Sequence, residues 1–178
     1  MDEKQVQSSQ KIAYIWPNLS TFWQNMKFTD QERALLREIQ RDSTLSLNAL
    51  ASRCGMAQST AWRKMQEFER AGLISARVAL LNPALAGRKL CVLAHISLAD
   101  HSAEAIEGFT RMVQLHADIQ ECFKVSGTPD YMLKIRVADV EAYEDFMTHN
   151  LLRSPYVRSV VSSFVLKEVK ATTALGLQ

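Results

Sequence analysis

The stretch GMAQSTAWRKMQEFERAGLI, residues 55–74, combines a regular apolar repeat with a polar and charged face. Ala61, Met65 and Phe68 are spaced four and three residues apart, which predicts the buried side of an α-helix that ends at Gly72. At about 100° per residue, the opposite side of this helix carries Ser59, Arg63, Gln66, Glu67 and Arg70. A helix that reads DNA and a solvated surface helix share this composition, so the neighbouring sequence has to distinguish them.

Two further helical patterns come before this stretch. In FTDQERALLREIQRD, the hydroxyl of Thr29 and the carboxylate of Glu32 form a capping-box pattern ahead of an apolar face. In SLNALASRC, the small residue Ala51 lies four positions before Gly55, which is suited to a left-handed turn. Two helices that cross at a small residue and join through a short glycine turn are typical of a helix-turn-helix. The sequence therefore predicts a helical domain over residues 28–74.

After a connecting stretch, SARVALLNPALAG, the chain alternates strand and helix patterns. Strands are predicted for KLCVLAHISL, IQECFKVS, YMLKIRV and YVRSVVSSFVLKEV, and helices for SAEAIEGFTRMVQLH and DVEAYEDFMTHNLL. Ile119, Phe123 and Val125 are predicted to share one side of their strand, and Val140 is predicted to face inward from its helix. The order βαββαβ predicts an α+β protein whose second domain, residues 88–178, is a ferredoxin-like sheet with both helices on one face.

Composition limits the classes of protein that fit this pattern. Of the 178 residues, 47% are apolar and 22% are charged, which is typical of a soluble globular chain, and the net charge is only +2. Any affinity for DNA must therefore come from a local cluster of basic side chains. The three cysteines have no paired spacing, which argues against a disulfide framework and a zinc site and fits a reducing cytoplasm.

The remaining segments carry few signals of chemistry. No run approaches the roughly 18 apolar residues of a membrane-spanning helix, and the start of the chain lacks a signal-peptide pattern. Residues 1–27 are predicted to be an N-terminal extension and residues 75–87 a connector. The histidines lack metal-ligand spacing, and no nucleophile elbow or glycine-rich phosphate loop is present. We therefore expect no catalytic site, no metal, no cofactor and no membrane contact.

Four stretches together carry a family resemblance. They are LSLNALASRCGMAQSTAWRKMQEFERAGLI, VALLNP, VSGTPDYMLKIRVADVEAYEDF and LLRSPYVRSVVSSFVLKEVKATTAL. With them the chain, from Phe28 to its C-terminus, resembles the leucine-responsive and asparagine-synthesis regulator (Lrp/AsnC) family of bacterial and archaeal transcription factors. It departs from the family pattern at Thr29 and Glu32, where an aspartate pair is usual, and at residues 153–157, where Leu-Pro-Gly-Val is usual. The first departure keeps the helix cap, and the second alters a turn.

The resemblance implies a winged-helix-like DNA-binding domain followed by a domain that binds an effector and forms oligomers. It identifies residues 57–70 as the recognition helix, with donors and acceptors for base edges and basic groups for phosphates. The DNA contacts so predicted are Gln58, Ser59, Thr60, Trp62, Arg63, Lys64, Gln66 and Arg70. The resemblance also implies a homodimer with paired connector strands and face-to-face sheets, which assembles further into tetramers or octamers. Such a dimer implies a pseudopalindromic operator in double-stranded DNA.

The turn VSGTPDY has two interpretations. It is a hairpin turn in which glycine supplies the backbone conformation and Asp130 a local hydrogen bond, and in the family it is also where dimers meet and small amino acids bind. The effector contacts so predicted are Gly127, Thr128, Asp130, Tyr131, Ser162 and Ser163. LSLNALA, VALLNP and SSFVLKEVKATTAL resemble the cysteine-responsive subgroup, which implies cysteine or a related amino acid as the effector.

The sequence thus predicts a cytoplasmic, sequence-specific transcriptional regulator that responds to a small amino acid and is not an enzyme. Two alternatives stay open at this point. One is a small-molecule-binding protein or an enzyme on the ferredoxin-like domain, since that fold hosts many functions. The other is a chromatin-like architectural protein without an effector, which would differ in having little sequence preference.

Overall fold

The computed structural model describes residues 28–177, which divide into two compact units. The helical unit contains residues 28–79 together with residues 171–177, and the sheet unit contains residues 80–170. The predicted extension, residues 1–27, lies outside the described residues. In the part of the chain that is described, no helix is long and apolar enough to cross a membrane.

Three helices form the helical unit, namely α1 (Asp30–Arg41), α2 (Leu47–Arg53) and α3 (Gln58–Arg70). The predicted capping box begins α1: the Thr29 hydroxyl accepts a hydrogen bond from the Glu32 amide at 3.2 Å, and the Glu32 carboxylate accepts one from the Thr29 amide at 2.9 Å. The helices enclose one apolar core, and its buried side chains are Leu35, Leu36, Ile39, Leu50, Ala51, Cys54, Ala61 and Phe68.

A tight turn joins α2 to α3. Gly55 adopts a φ of 61°, a backbone conformation that residues with a Cβ rarely adopt. The side-chain amide of Gln31 on α1 donates a hydrogen bond of 2.7 Å to the Gly55 carbonyl. The Met56 amide donates to the carbonyl of Ala51 at 3.0 Å, and the Ala51 side chain is buried in the core. These contacts confirm the predicted left-handed glycine and the small buried residue of the helix-turn-helix.

The sheet unit has the predicted order of elements. In chain order they are β1 (Leu90–Leu98), α4 (Ala103–Leu115), β2 (Ile119–Lys124), β3 (Tyr131–Val137), α5 (Val140–Phe146), a π-helical turn (Met147–Leu151) and β4 (Val157–Phe164). The four strands form one antiparallel sheet in the order β2-β3-β1-β4. This is the ferredoxin-like arrangement, so the predicted α+β fold is confirmed.

Both helices of the sheet unit pack against one face of the sheet, the core face. Val92 and Ile96 of β1 are fully buried on this face, where they join Phe109 of α4 and Tyr143 of α5 in one apolar cluster. Because side chains alternate along a strand, the residues between them point to the other side of the sheet. This second side, the outer face, carries Leu93, His95, Met132, Lys134 and Val161.

The pairing of β2 with β3 corrects one prediction. The register shifts between Ile119 and Glu121, so that Ile119 pairs with Ile135 whereas Phe123 pairs with Met132. Side chains alternate along β3, and Ile135 is buried on the core face whereas Met132 points to the outer face. Ile119 and Phe123 therefore do not share a side. The prediction was wrong because a β-bulge between them reverses the alternation.

The prediction for Val140 was also wrong. Its side chain is 59% exposed, whereas Tyr143 and Phe146 of the same helix are buried as predicted. Val140 is the first residue of α5 and directly follows the capping residue Asp139. No earlier turn of this helix exists to pack beside its side chain, which therefore remains at the surface.

The last strand is shorter than predicted. It ends at Phe164, whereas the alternating pattern continues to Val169. Beyond the strand, the Val165 amide still donates a hydrogen bond of 3.0 Å to the Cys91 carbonyl, near the start of β1. Leu166 is 98% exposed. β1 itself continues to Leu90, but beyond Val165 the chain no longer pairs with it, which the sequence of the last strand does not reveal.

Two segments of chain connect the units. The first is the connector, residues 75–87, which contains no helix and no strand and leaves Val78 and Leu81 65% and 76% exposed. The second connection comes after Lys170, because residues from Ala171 onward belong to the helical unit. The predicted second domain, residues 88–178, included this last stretch of chain.

Candidate DNA-binding surface and effector site

One side of α3 faces solvent and carries the residues predicted to contact DNA. Ala61 and Phe68 are buried in the core of the helical unit, and Met65 packs at its edge. This packing fixes the rotation of α3 about its axis, so that the opposite side of the helix faces solvent. Of the predicted contacts, Gln58, Ser59, Trp62, Arg63 and Arg70 are exposed, whereas Thr60, Lys64 and Gln66 are half-buried. The first turns of α3 therefore present amide, hydroxyl, indole and guanidinium groups together.

Glu67 holds two of the predicted cationic contacts. Its carboxylate lies 2.6 Å from Nη1 of Arg63 and 3.0 Å from Nζ of Lys64. The hydrogen bond from Lys64 is the largest cause that lowers the pKa of Glu67 below its ordinary value, and the charge of Arg63 adds to it. Glu67 therefore stays ionised at neutral pH, and its charge is shared between the two cations.

Lys64 has a second partner on another helix. Its Nζ lies 2.8 Å from the carboxylate of Glu32 on α1, and its side chain is only 26% exposed. The hydrogen bond to Glu32, followed by the one to Glu67, raises the pKa of Lys64 above its ordinary value. Lys64 thus ties α3 to α1 in addition to its predicted role, and this second role was missed because Glu32 is distant in sequence.

The end of α3 is linked to the connector. Gln66 donates a hydrogen bond of 3.2 Å to the carboxylate of Glu69, and the same carboxylate forms an ion pair with Arg77. Arg77 was not among the predicted contacts, although a basic residue shortly after the helix is a signal that could have identified it. It adds a cation beside the C-terminal end of the predicted recognition helix.

The turn between β2 and β3 contains a fixed carboxylate. One oxygen of Asp130 accepts a hydrogen bond of 2.8 Å from the Leu98 amide, and the other accepts one of 2.8 Å from Nε2 of His101. The Asp130 amide donates to the Ile96 carbonyl at 2.9 Å. The bond from Leu98, followed by that from His101, lowers the pKa of Asp130 below its ordinary value. The turn therefore presents a charged carboxylate anchored to the end of β1.

Two partners of this carboxylate were missed by sequence reasoning. His101, in the loop after β1, was treated as a lone histidine, and the charge of Arg158 on β4 also lowers the pKa of Asp130. Both are far from Asp130 in sequence, and only the antiparallel order of the strands brings them to one end of the sheet. No spacing rule would have identified either of them.

The structure separates the other predicted effector contacts. Gly127 has a φ of 90° and, like Thr128, is exposed in the turn. Tyr131 is buried, with its ring centroid 4.7 Å from that of Phe109. On β4, the Ser162 hydroxyl is hydrogen bonded to the Tyr143 hydroxyl at 2.6 Å, and Ser163 pairs with Leu93 of the outer face. Ser162 and Ser163 therefore point to opposite faces of the sheet.

These features define a class of protein. A helix-turn-helix presents a polar helix surface, and a second unit built on a four-stranded sheet carries an anchored, charged turn. Among the described residues, no group of three histidine, cysteine or acidic side chains is placed to hold a metal ion. The arrangement is that of a DNA-binding protein with an additional domain for a ligand or for assembly.

Comparisons with known proteins agree with this class. Residues 28–75 match a family model described as winged helix-turn-helix DNA-binding, and residues 91–175 match the Lrp/AsnC ligand binding domain. The leucine-responsive regulatory protein of Escherichia coli (strain K12) is 36% identical over 147 residues, which cover 83% of this chain and 90% of that protein.

Solved structures agree as well. A transcriptional regulator from Neisseria meningitidis in complex with L-Met has a TM-score of 0.81 and 29% identity, and an AsnC family regulator from Agrobacterium tumefaciens has a TM-score of 0.80 and 34% identity. Each match covers 84% of this chain and 97% of the other.

The chain belongs to the Lrp/AsnC family. It is a DNA-binding transcriptional regulator with a ligand-binding domain, and this membership confirms the prediction that it is not an enzyme.

Proposed function

We propose that α3 is the recognition helix and that its first turns read the edges of bases in an operator. The observation that carries this proposal is the exposed polar side of a helix whose other side is buried. Side chains that specify sequence contact base edges, and those that only position the protein contact phosphates. The proposed base contacts are Gln58, Ser59, Thr60, Trp62, Arg63 and Gln66, and the proposed phosphate contacts are Lys64 and Arg70.

The proposed regulator acts as a homodimer that assembles into tetramers or octamers. The support is exposed apolar surface in two places, at Val78 and Leu81 of the connector and at Val161 on the outer face. Paired connectors and facing sheets would bury this surface, which favours association. A two-fold dimer presents two α3 helices to half-sites about 10 bp apart or multiples of this spacing, hence a pseudopalindromic operator. The cytoplasm is the compartment in which such a regulator meets DNA.

The proposed effector is a small amino acid, cysteine or a related one, bound at the turn between β2 and β3. The charged carboxylate of Asp130 attracts an ammonium group, and the backbone near Gly127 can approach a carboxylate because glycine has no Cβ. The related Neisseria regulator was solved with L-Met, which like cysteine contains sulfur. Among the other proposed contacts, Thr128 and Ser163 are at the surface, and Tyr131 and Ser162 support the site from within the sheet unit.

Calorimetry with the full chain tests the effector proposal. Cysteine and methionine are titrated first, followed by the other amino acids, and we expect at least one to bind below millimolar concentration. Asp130→Asn should weaken this binding, since the amide keeps an oxygen for the Leu98 amide but loses the charge. Asp145→Asn, at an exposed residue of α5, is the control. If no amino acid binds, or if the Asp130 variant binds like the parent, the effector is of another class or binds elsewhere.

Genome-wide mapping of bound DNA tests the recognition proposal. We expect a small set of sites that share a pseudopalindromic sequence, and addition of the effector should change their occupancy. Coupling between effector and DNA of about 1–3 kcal/mol, or roughly 5- to 150-fold in affinity, is usual for such linkage. Occupancy spread along the genome without a shared sequence would instead favour an architectural protein.

A further inference from the structure

The last residues of the chain form part of the helical unit. The chain leaves this unit after Ala79 and returns to it at Ala171. We call residues 171–177 the C-terminal segment, and it contains neither helix nor strand. A segment without regular structure remains in one place only if its backbone and side chains find specific partners.

The partner of its backbone is a single glutamine. Gln40, near the end of α1, donates a hydrogen bond from Nε2 to the Leu175 carbonyl at 3.3 Å and accepts one at Oε1 from the Leu175 amide at 2.6 Å. A side-chain amide offers a donor and an acceptor side by side, so it satisfies both polar groups of one extended residue. The Gln40 side chain thus makes the same pair of hydrogen bonds with Leu175 that a residue of a neighbouring β-strand would make.

The partner of its side chains is the core of the helical unit. Leu177 is half-buried and packs against the cluster that includes Leu36 and Ile39. The Leu175 side chain is 74% exposed, so this residue is held through its backbone alone. The polar contact at Leu175 and the apolar contact at Leu177 together specify the docked position of the segment.

The chain before the C-terminal segment is anchored to the sheet unit. Glu168 accepts hydrogen bonds of 3.0 and 3.1 Å from Nη2 of Arg136 on β3, whose side chain is only 11% exposed. Residues 169–174 separate this anchor from Leu175. The chain is therefore held on both sides of a short run, first by the sheet unit and then by the helical unit.

We propose that the C-terminal segment is a strap that docks on α1 of its own chain and gives the two units a second connection besides the connector. The short run after Glu168 argues for its own chain, because a brief tether gives a segment an effective local concentration of about millimolar or more. A unit joined by two short tethers, here the connector and the run after Glu168, has fewer accessible orientations than a unit joined by one. The strap thereby limits the orientations in which α3 meets DNA.

Hydrogen exchange of the Leu175 amide, followed by NMR on the full chain, tests the docking. In the parent this amide should be protected, because it donates to Gln40. Gln40→Ala should raise its exchange rate at least about tenfold, whereas Gln114→Ala, at an exposed glutamine of α4, should leave the rate unchanged. Exchange at the rate of an unstructured peptide in the parent would overturn the proposal. This measurement needs no DNA, so its result stands even if no operator is found.

A disulfide distinguishes docking within one chain from docking between chains. The double variant Gln40→Cys, Leu175→Cys should oxidise to a monomer that migrates faster on a non-reducing gel than its own reduced form, and the parent with its native cysteines is the control. A covalent dimer formed only by the double variant would show that the segment docks on a partner, and would overturn the assignment to its own chain.

A flexible insertion tests what the strap does. A linker of about ten glycine and serine residues between Lys170 and Ala171 keeps the docking residues but slackens the tether. We expect the Leu175 amide to stay protected while affinity for the operator found by genome-wide mapping falls several-fold. The same linker inserted after Leu115, at the exposed end of α4, is the control. Unchanged affinity with the Lys170 insertion would show that the segment only completes the core of the helical unit.

Discussion

Single carboxylates determine how the two candidate sites present their charge. Glu67 forms ion pairs with Arg63 and Lys64, so part of the positive charge on the predicted recognition helix is already neutralised by a neighbouring carboxylate. Asp130 is held by a backbone amide and by His101, which keeps a negative charge at the turn. In both places an acidic side chain fixes the position of a neighbouring group.

Replacement of Arg63 tests the charge on α3. Arg63→Ala should weaken specific DNA binding by about 1–3 kcal/mol if the guanidinium makes a bidentate base contact. Its ion pair with Glu67 is exposed and contributes little to stability, so folding should be nearly unchanged. Operator affinity at matched salt is measured by fluorescence anisotropy. Arg111→Ala, an exposed arginine of α4, serves as the control, and equal affinities of both variants would contradict the assignment of Arg63.

Acid titration tests the bonds of Asp130. Its pKa is lower in the folded protein than in the unfolded chain, so its stabilising contribution is complete above the ordinary aspartate pKa of about 3.9 and is lost as pH falls through the lower folded value. The parent should therefore lose stability relative to Asp130→Asn as pH falls below about 4. Urea unfolding of the sheet unit at several pH values measures this difference. A constant difference at all pH values would show that these contacts do not lower the pKa of Asp130.

At the scale of elements, the helix-turn-helix depends on one turn and one cross-link between helices. Gly55 allows the chain to reverse between α2 and α3, and the Gln31 side chain holds its carbonyl against α1. The pair between Glu32 and Lys64 connects α1 with α3. The orientation of the predicted recognition helix therefore depends on contacts that α1 makes with both the turn and the helix.

Substitution of Gly55 tests the turn. A Cβ at this position would meet no atom within 4 Å, so any cost comes from the positive φ alone. Gly55→Ala should destabilise the helical unit by about 1–2 kcal/mol, which is the penalty of a left-handed conformation. Gly55→Asn should cost less, because asparagine adopts this conformation more readily. Thermal unfolding compares the two, and equal losses would show that the turn does not require this conformation.

At the scale of the whole molecule, the chain divides its tasks between two units. The proposed DNA contacts all lie in the helical unit, whereas Asp130 and the outer face lie in the sheet unit. An effector that prefers one assembly state shifts the population toward that state by no more than the difference in its affinities. Assembly through the sheet unit would then determine how many α3 helices are available to one operator.

A fragment that begins at Asn82 tests this division. It contains the whole sheet and both of its helices, so we expect it to fold and to form oligomers. It lacks α3, so it should not bind operator DNA. Light scattering measures its mass and anisotropy its DNA binding, with the full chain as the reference. A monomeric fragment would indicate that the connector or the helical unit holds the subunits together.

Local sequence alone predicted the order of helices and strands in both units and the resemblance to the family. The capping box at Thr29, the glycine at residue 55 and the alternation of β1 are interactions between residues close in sequence, so their spacing predicts them. The order of strands and helices then limits the topology to few arrangements, because connections in compact domains are short and follow handedness rules.

Only the tertiary structure decided which distant residues meet. Phe123 lies on the outer face because of a bulge, β4 ends at Phe164 although its partner β1 continues to Leu90, and Lys64 pairs with Glu32. Partners on other elements fix the Asp130 carboxylate and lower its pKa, and Gln40 holds the backbone of Leu175. Each of these features depends on residues that lie far apart in the sequence and that no spacing rule relates. They depend on the register of strands and the packing of helices, which are properties of the folded chain as a whole.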